Sequence, residues 1–142
     1  DLSKIQIIEF SILFIIFNFF NITSSKLDEL SDLEFVSEKN ESLKNTIIGL
    51  HSKGKGKAEI QSEITKNFKK LIDEIKENSN IQLILNKKND DEIKELLLDL
   101  ITDFRGQRNL MKIESLEKKL INNLDESSYS ELIKLKSQLN QE

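Results

Sequence analysis

The chain has 142 residues, enough for one domain with a real core or for a compact domain with an appendage. It has no cysteine, no proline, four glycines and a single histidine, which excludes disulfides and thiolate metal sites and argues against a turn-rich sheet protein. The formal net charge is −4: residues 1–89 carry 13 acidic and 13 basic side chains, and residues 90–142 carry 12 and 8. An acidic C-terminal part is a poor grip for a phosphate backbone. The chain opens on Asp1 rather than methionine, and it is expected to be a piece of a longer protein.

Residues 5–22 form an apolar run containing Ile12-Leu13-Phe14-Ile15-Ile16-Phe17 and then Phe19 and Phe20. A membrane span needs about 20 apolar residues. Gln6, Glu9, Ser11, Asn18 and Asn21 interrupt this one, and a carboxylate at Glu9 is costly in lipid. Only Lys4 supplies a basic flank and no small-residue cleavage site follows, so a secretory signal is not expected. The run reads as a core helix buried on nearly all sides, with Phe10, Phe14, Phe17 and Phe20 filling the centre of a small bundle.

A short helix follows over about residues 25–33, with Ser25 placed to cap it. Phe35 and Val36 form an apolar pair before the next helix. Ser37 is its candidate cap, Glu38 and Glu41 lie in its first turns, and Leu43, Ile47, Ile48 and Leu50 form its buried face. Lys53-Gly54-Lys55-Gly56-Lys57 reads as a solvated loop. Its glycine spacing does not match a phosphate-binding loop, and no strand precedes it. His51, without a second histidine or a cysteine, is a boundary residue rather than a metal ligand. Ile60, Ile64, Phe68, Leu71, Ile72 and Ile75 mark another helix, Asn78-Ser79-Asn80 a turn, and residues 81–85 a short helix.

From residue 90 the pattern becomes one long helix, a turn and a shorter helix. Asn89 or Asp90 caps the long helix. Its first half carries a broad stripe of Ile93, Leu96, Leu97, Leu100, Ile101 and Phe104. Its second half carries a narrower seam of Leu110, Ile113, Leu116, Leu120 and Leu124. Gly106 lies between the two, a point where the helix leaves the bundle or bends. Residues 122–125 form the turn, and Asp125 or Ser127 caps the last helix. Tyr129, Leu132, Leu135 and Leu139 then recur at helical spacing and can pack back on the seam. The expected fold is all-α: a small helical bundle over residues 1–104, then a C-terminal helical hairpin over residues 105–142, with the long helix from about residue 90 shared between them. Carboxylates decorate helix faces without a companion histidine cluster or nucleophile, so no catalytic, cofactor-binding or metal-ligating residue is expected.

Several stretches, in order, resemble the C-terminal helicase-binding domain of bacterial DnaG-type DNA primases, especially the alphaproteobacterial kind. Residues 12–20 stand where that family has a leucine-rich helix ending in an Asn-His-Pro break, with Phe19 and Phe20 after Asn18. Leu33-Glu34-Phe35 and the acidic stretch from Ser37 to Leu43 match its Leu-Glu-Phe block and following helix. Asp103-Phe104-Arg105-Gly106-Gln107-Arg108, Leu116-Glu117-Lys118-Lys119-Leu120, and the stretch from Tyr129 to Leu139 match its closing hairpin. The resemblance implies a non-catalytic, cytoplasmic interaction module whose hairpin docks onto the N-terminal domain of the replicative DNA helicase. The zinc-binding and polymerase domains of the parent enzyme would lie outside this chain. Partner-binding residues are expected on the turn and last helix: Leu124, Tyr129, Leu132, Ile133, Lys136 and Leu139. Among them Tyr129, Ile133 and Lys136 are expected to point outward, because Leu132, Leu135 and Leu139 suit the internal seam. No membrane, nucleic-acid or cofactor partner is expected, and the isolated chain is expected to be monomeric. The rival expectation is a structural coiled-coil or helical adaptor, with residues 5–22 as a membrane anchor.

Overall fold

The computed structural model describes residues 2–78, 81–122 and 126–140. Among them there are eight helices and no strand, so the chain is all-α. It divides into two compact units, residues 1–101 and residues 102–142.

The first unit is built on the apolar run. Ser3 opens α1 (Lys4–Asn18) with a reciprocal capping box: its hydroxyl accepts from the Gln6 N–H, and the Gln6 side chain accepts from the Ser3 N–H at 2.9 Å. The run is not one helix. It leaves helical geometry at Phe19 (φ −118°, ψ 81°) and resumes as α2 (Phe20–Ser25). A helix end orphans its last carbonyls, and here side chains supply the donors. The Asn18 amide donates to the Phe14 carbonyl at 2.8 Å. The Thr23 hydroxyl lies 2.9 Å from the Ile16 carbonyl, and the Gln61 amide donates to the Phe17 carbonyl at 3.3 Å. The innermost side chains are Ile12, Leu13, Ile15 and Ile16, each at most 1 % exposed. Phe10 and Phe14 are buried beside them, whereas Phe17 and Phe20, expected at the centre, are half-buried: Phe17 lies in the last turn of α1 and Phe20 opens α2, on either side of the break. Among the described residues, no helix is long and apolar enough to cross a membrane.

A short α3 (Leu27–Ser31) follows. Ser25 does not cap it; its hydroxyl donates back to the Ile22 carbonyl at 2.8 Å. Ser37 does cap α4 (Glu38–Ser52), accepting from the Asn40 N–H, and Leu43, Ile47, Ile48 and Leu50 are buried as their spacing predicts. The segment between α3 and α4 is held by two buried charged side chains. Glu9 of α1, fully buried, accepts from the Val36 N–H at 2.6 Å and from the Asn40 amide at 2.9 Å. Lys44, also fully buried, donates to the carbonyls of Leu30 and Leu33 and pairs with Glu41 at 2.9 Å. Its ammonium lies 5.3 Å from the centre of the Phe35 ring, and the Phe35 N–H donates to Glu41 at 3.3 Å. Buried charges persist only when paired and hydrogen-bonded, and no buried side-chain polar atom among the described residues lacks a partner. Of the expected apolar pair, Phe35 is buried and Val36 is exposed: the clamp uses the Val36 backbone and leaves its side chain outside.

His51, in the last turn of α4, is half-buried with its ring 4.6 Å from that of Phe20. Desolvation holds its pKa below the ordinary value of 6.5. As pH falls, the unfolded chain therefore takes up this proton before the folded one does. The stability this group contributes is present above pH 6.5 and is lost as pH falls through the folded-state value. Thermal melts taken from about pH 7.5 down to about pH 5 should show a decline that is smaller in His51→Gln.

The lysine loop turns at Gly54, whose φ of +77° suits glycine. Helix α5 (Lys57–Asn78) buries Ile60, Ile64, Leu71, Ile72 and Ile75 but leaves helical geometry at Phe68. The turn read at residues 78–80 lies outside the described residues apart from Asn78, which ends α5. The short α6 (Ile81–Leu85) buries its two ends. Asn89 then caps α7 (Asp90–Asn122) in a second capping box: it accepts from the Glu92 N–H at 2.9 Å, and its own N–H donates to the Glu92 carboxylate at 3.1 Å. Asn89→Ala should lower stability by about 1 kcal/mol, read as a shift of the urea midpoint at unchanged slope.

Ile93, Leu97 and Ile101 are buried along the first turns of α7, and Leu96 and Leu100 are half-buried. The acidic excess belongs to these turns. Asp90, Asp91, Glu92, Glu95 and Asp99 stand against Lys94 alone, whereas residues 102–142 carry seven acidic and seven basic side chains. The hairpin unit is therefore neutral rather than acidic. α7 remains helical through Gly106.

Candidate protein-docking face

The second unit pairs the later turns of α7 with α8 (Glu126–Asn140). Ile113, Leu116 and Leu132 form its core, with Leu120, Leu135 and Leu139 packed against them. The spacing explains the arrangement. At about 100° of turn per residue, Leu132, Leu135 and Leu139 share one stripe of α8, and Ile113, Leu116 and Leu120 share one stripe of α7. Leu110, expected in this seam, is exposed, because it is out of phase with the other three. Helix α8 begins at Glu126, so Ser127 lies inside it; Asp125 is outside the described residues.

One contact marks which sides of the two helices adjoin. The Lys136 ammonium lies 3.1 Å from the Glu117 carboxylate, with both side chains about half exposed (53 % and 47 %). An ion pair this wet contributes little stability, about 0–1 kcal/mol, but it identifies a face. On α8, Tyr129 and Ile133 lie in the same stripe as Lys136, seven and three residues before it along the helix. On α7, Ile121 follows Glu117 by one turn. Ile121, Tyr129 and Ile133 are 83 %, 55 % and 51 % exposed. The hairpin thus offers an aromatic and two branched aliphatic side chains on one side, bordered by an ion pair. Single exposed apolar residues are ordinary; a group of them on one face is a candidate interaction surface.

The six residues expected to bind a partner are thereby sorted. Tyr129, Ile133 and Lys136 lie on the open face. Leu132 is buried and Leu139 partly buried in the seam, where they hold the hairpin together. Leu124 lies outside the described residues. Sequence reasoning missed Ile121. Its signal was available: it follows Leu120 directly and falls outside the three- and four-residue spacing of the seam. It also missed Glu117, whose role depends on where Lys136 arrives from the other helix.

Among the described residues, no group of three or more His, Asp or Glu side chains is arranged to hold a metal ion. Lys53, Lys55 and Lys57 are all exposed, and Lys55 pairs with Glu59 at 3.5 Å. Comparison with protein-family models, with curated proteins and with solved structures finds no match.

Proposed function

We propose that this chain is a non-catalytic protein-interaction module of a bacterial, DnaG-type DNA primase. In this reading it acts in the cytoplasm and docks onto the N-terminal domain of the replicative DNA helicase through the open face of the hairpin, recruiting primase to the fork. The observation that carries the reading is the exposed group Ile121, Tyr129 and Ile133 on a helical hairpin whose own seam is already filled by other side chains. Amphipathic helices meet helical partners through such strips, and tyrosine is a frequent anchor residue. The order of elements, a helical bundle followed by a long helix and a hairpin, agrees with the resemblance in the sequence. The isolated chain is then a monomer with no cofactor and no nucleic-acid or membrane partner.

Ending the chain after Asn123 removes α8 and tests this directly. The shortened chain should no longer co-elute with the helicase N-terminal domain. Its circular dichroism should fall only by the lost helix, because residues 1–101 form a compact unit of their own. Retained co-elution would move the docking surface away from α8. General unfolding would mean that the hairpin is part of the core.

A further inference from the structure

Helix α5 places an aromatic side chain where packing does not explain it. Its buried residues are Ile60, Ile64, Leu71, Ile72 and Ile75. Phe68 stands one turn after Ile64 and one turn before Ile72, at the centre of that stripe. It should be among the most buried residues of the helix. Instead the backbone leaves helical geometry there (φ −129°, ψ 27°), and the ring is only half-buried. Sharp breaks inside helices fall at proline, at glycine–serine pairs, at π-bulges or where a side chain or water inserts into the backbone ladder, and α5 contains no proline or glycine.

The break opens onto a cleft of about 410 Å³ between the start of α4 and the middle of α5. This volume falls within the range of small-molecule sites. Phe68 and Leu71 form its apolar lining. Lys39, Lys69 and Lys70 line it as well, and among the described residues none of the three has an ion-pair partner. Glu38 and Glu74 also line it. Three ammonium groups against two carboxylates leave an excess of one positive charge, which suits a single negative charge on the ligand and not a polyphosphate.

The geometry points to a binding site for a small monocarboxylate with an apolar body, the body against Phe68 and Leu71 and the carboxylate held among Lys39, Lys69 and Lys70. This site belongs to the first unit alone and does not depend on the proposed docking role.

The test is a proton–nitrogen NMR titration of the full chain with 1-naphthylacetate, with neutral 1-naphthylacetamide as the matched control. Saturable shifts are expected at amides of residues 38–42 and 67–74, with the acetamide binding several-fold more weakly. Lys69→Gln with Lys70→Gln should reduce acetate affinity about tenfold and leave acetamide affinity unchanged, since it removes only charge from exposed positions. Phe68→Ala should weaken both probes; if that variant fails to fold, the lysine pair still decides the matter. Absence of saturable shifts, shifts centred elsewhere, or equal affinity for the two probes would overturn the assignment.

Discussion

Lys44→Met is expected to lower the free energy of unfolding by about 3–5 kcal/mol, among the largest effects of any single change in this chain. The side chain is fully buried, and its ammonium satisfies three groups at once: the carbonyls of Leu30 and Leu33 and the carboxylate of Glu41. Methionine matches its length but donates nothing. Each carbonyl left dry and unpaired costs about 1–3 kcal/mol. Glu41 is 25 % exposed and recovers part of its solvation, so the loss concentrates on the two backbone oxygens. Those oxygens belong to the segment that α1 also holds through Glu9. Lys55→Met is the matched control. Its partner is Glu59 at 3.5 Å and both side chains are about half exposed or more (46 % and 66 %), so its loss should stay within about 0.5 kcal/mol. Urea unfolding followed by far-ultraviolet circular dichroism separates the two variants. A loss below about 1 kcal/mol for Lys44→Met would mean that water reaches the two carbonyls once the lysine is gone.

If the hairpin docks as proposed, Tyr129→Ala with Ile133→Ala is expected to weaken binding to the helicase N-terminal domain about 100-fold, corresponding to roughly 2.7 kcal/mol. Both side chains are about half exposed in the free chain, so their loss should change stability little. Leu132→Ala is the instructive contrast. Leu132 is buried between the two helices of the hairpin, and its truncation should destabilise that unit by about 2–5 kcal/mol. If Leu132→Ala weakens binding, it does so by loosening the hairpin, with a matching loss of helicity. The double variant should weaken binding with helicity intact. An unchanged affinity in the double variant would remove this face from the account.

The elements most legible in the sequence are those whose apolar residues recur at a clean helical period. Leu43, Ile47, Ile48 and Leu50 are buried as read, and so are Ile93, Leu97 and Ile101. The seam of the hairpin was readable for the same reason, and it separates Leu132 and Leu139 from Tyr129 and Ile133. Breaks were harder. The apolar period of residues 5–22 runs through Phe19, and within the run only Asn18 hints at a stop, its amide closing on the Phe14 carbonyl. The other donors that close the end of α1 come from Thr23, just beyond the run, and from Gln61, far along the chain. The break at Phe68 left even less trace, since the apolar period runs straight through it. Pairings between distant segments were invisible. Glu9 counted against a membrane span, but its bonds to Val36 and Asn40 bridge 27 and 31 positions and no periodicity announces them. The open face was half legible for a similar reason. A single helix shows Tyr129 and Ile133, but Ile121 joins them only when the second helix is in place.

The most direct test of the docking account is a calorimetric titration of the purified chain into the N-terminal domain of the replicative helicase from the same organism. The account predicts saturable heat with a defined stoichiometry, greatly reduced in the Tyr129→Ala, Ile133→Ala variant. No heat of binding from a chain shown to be folded would contradict it.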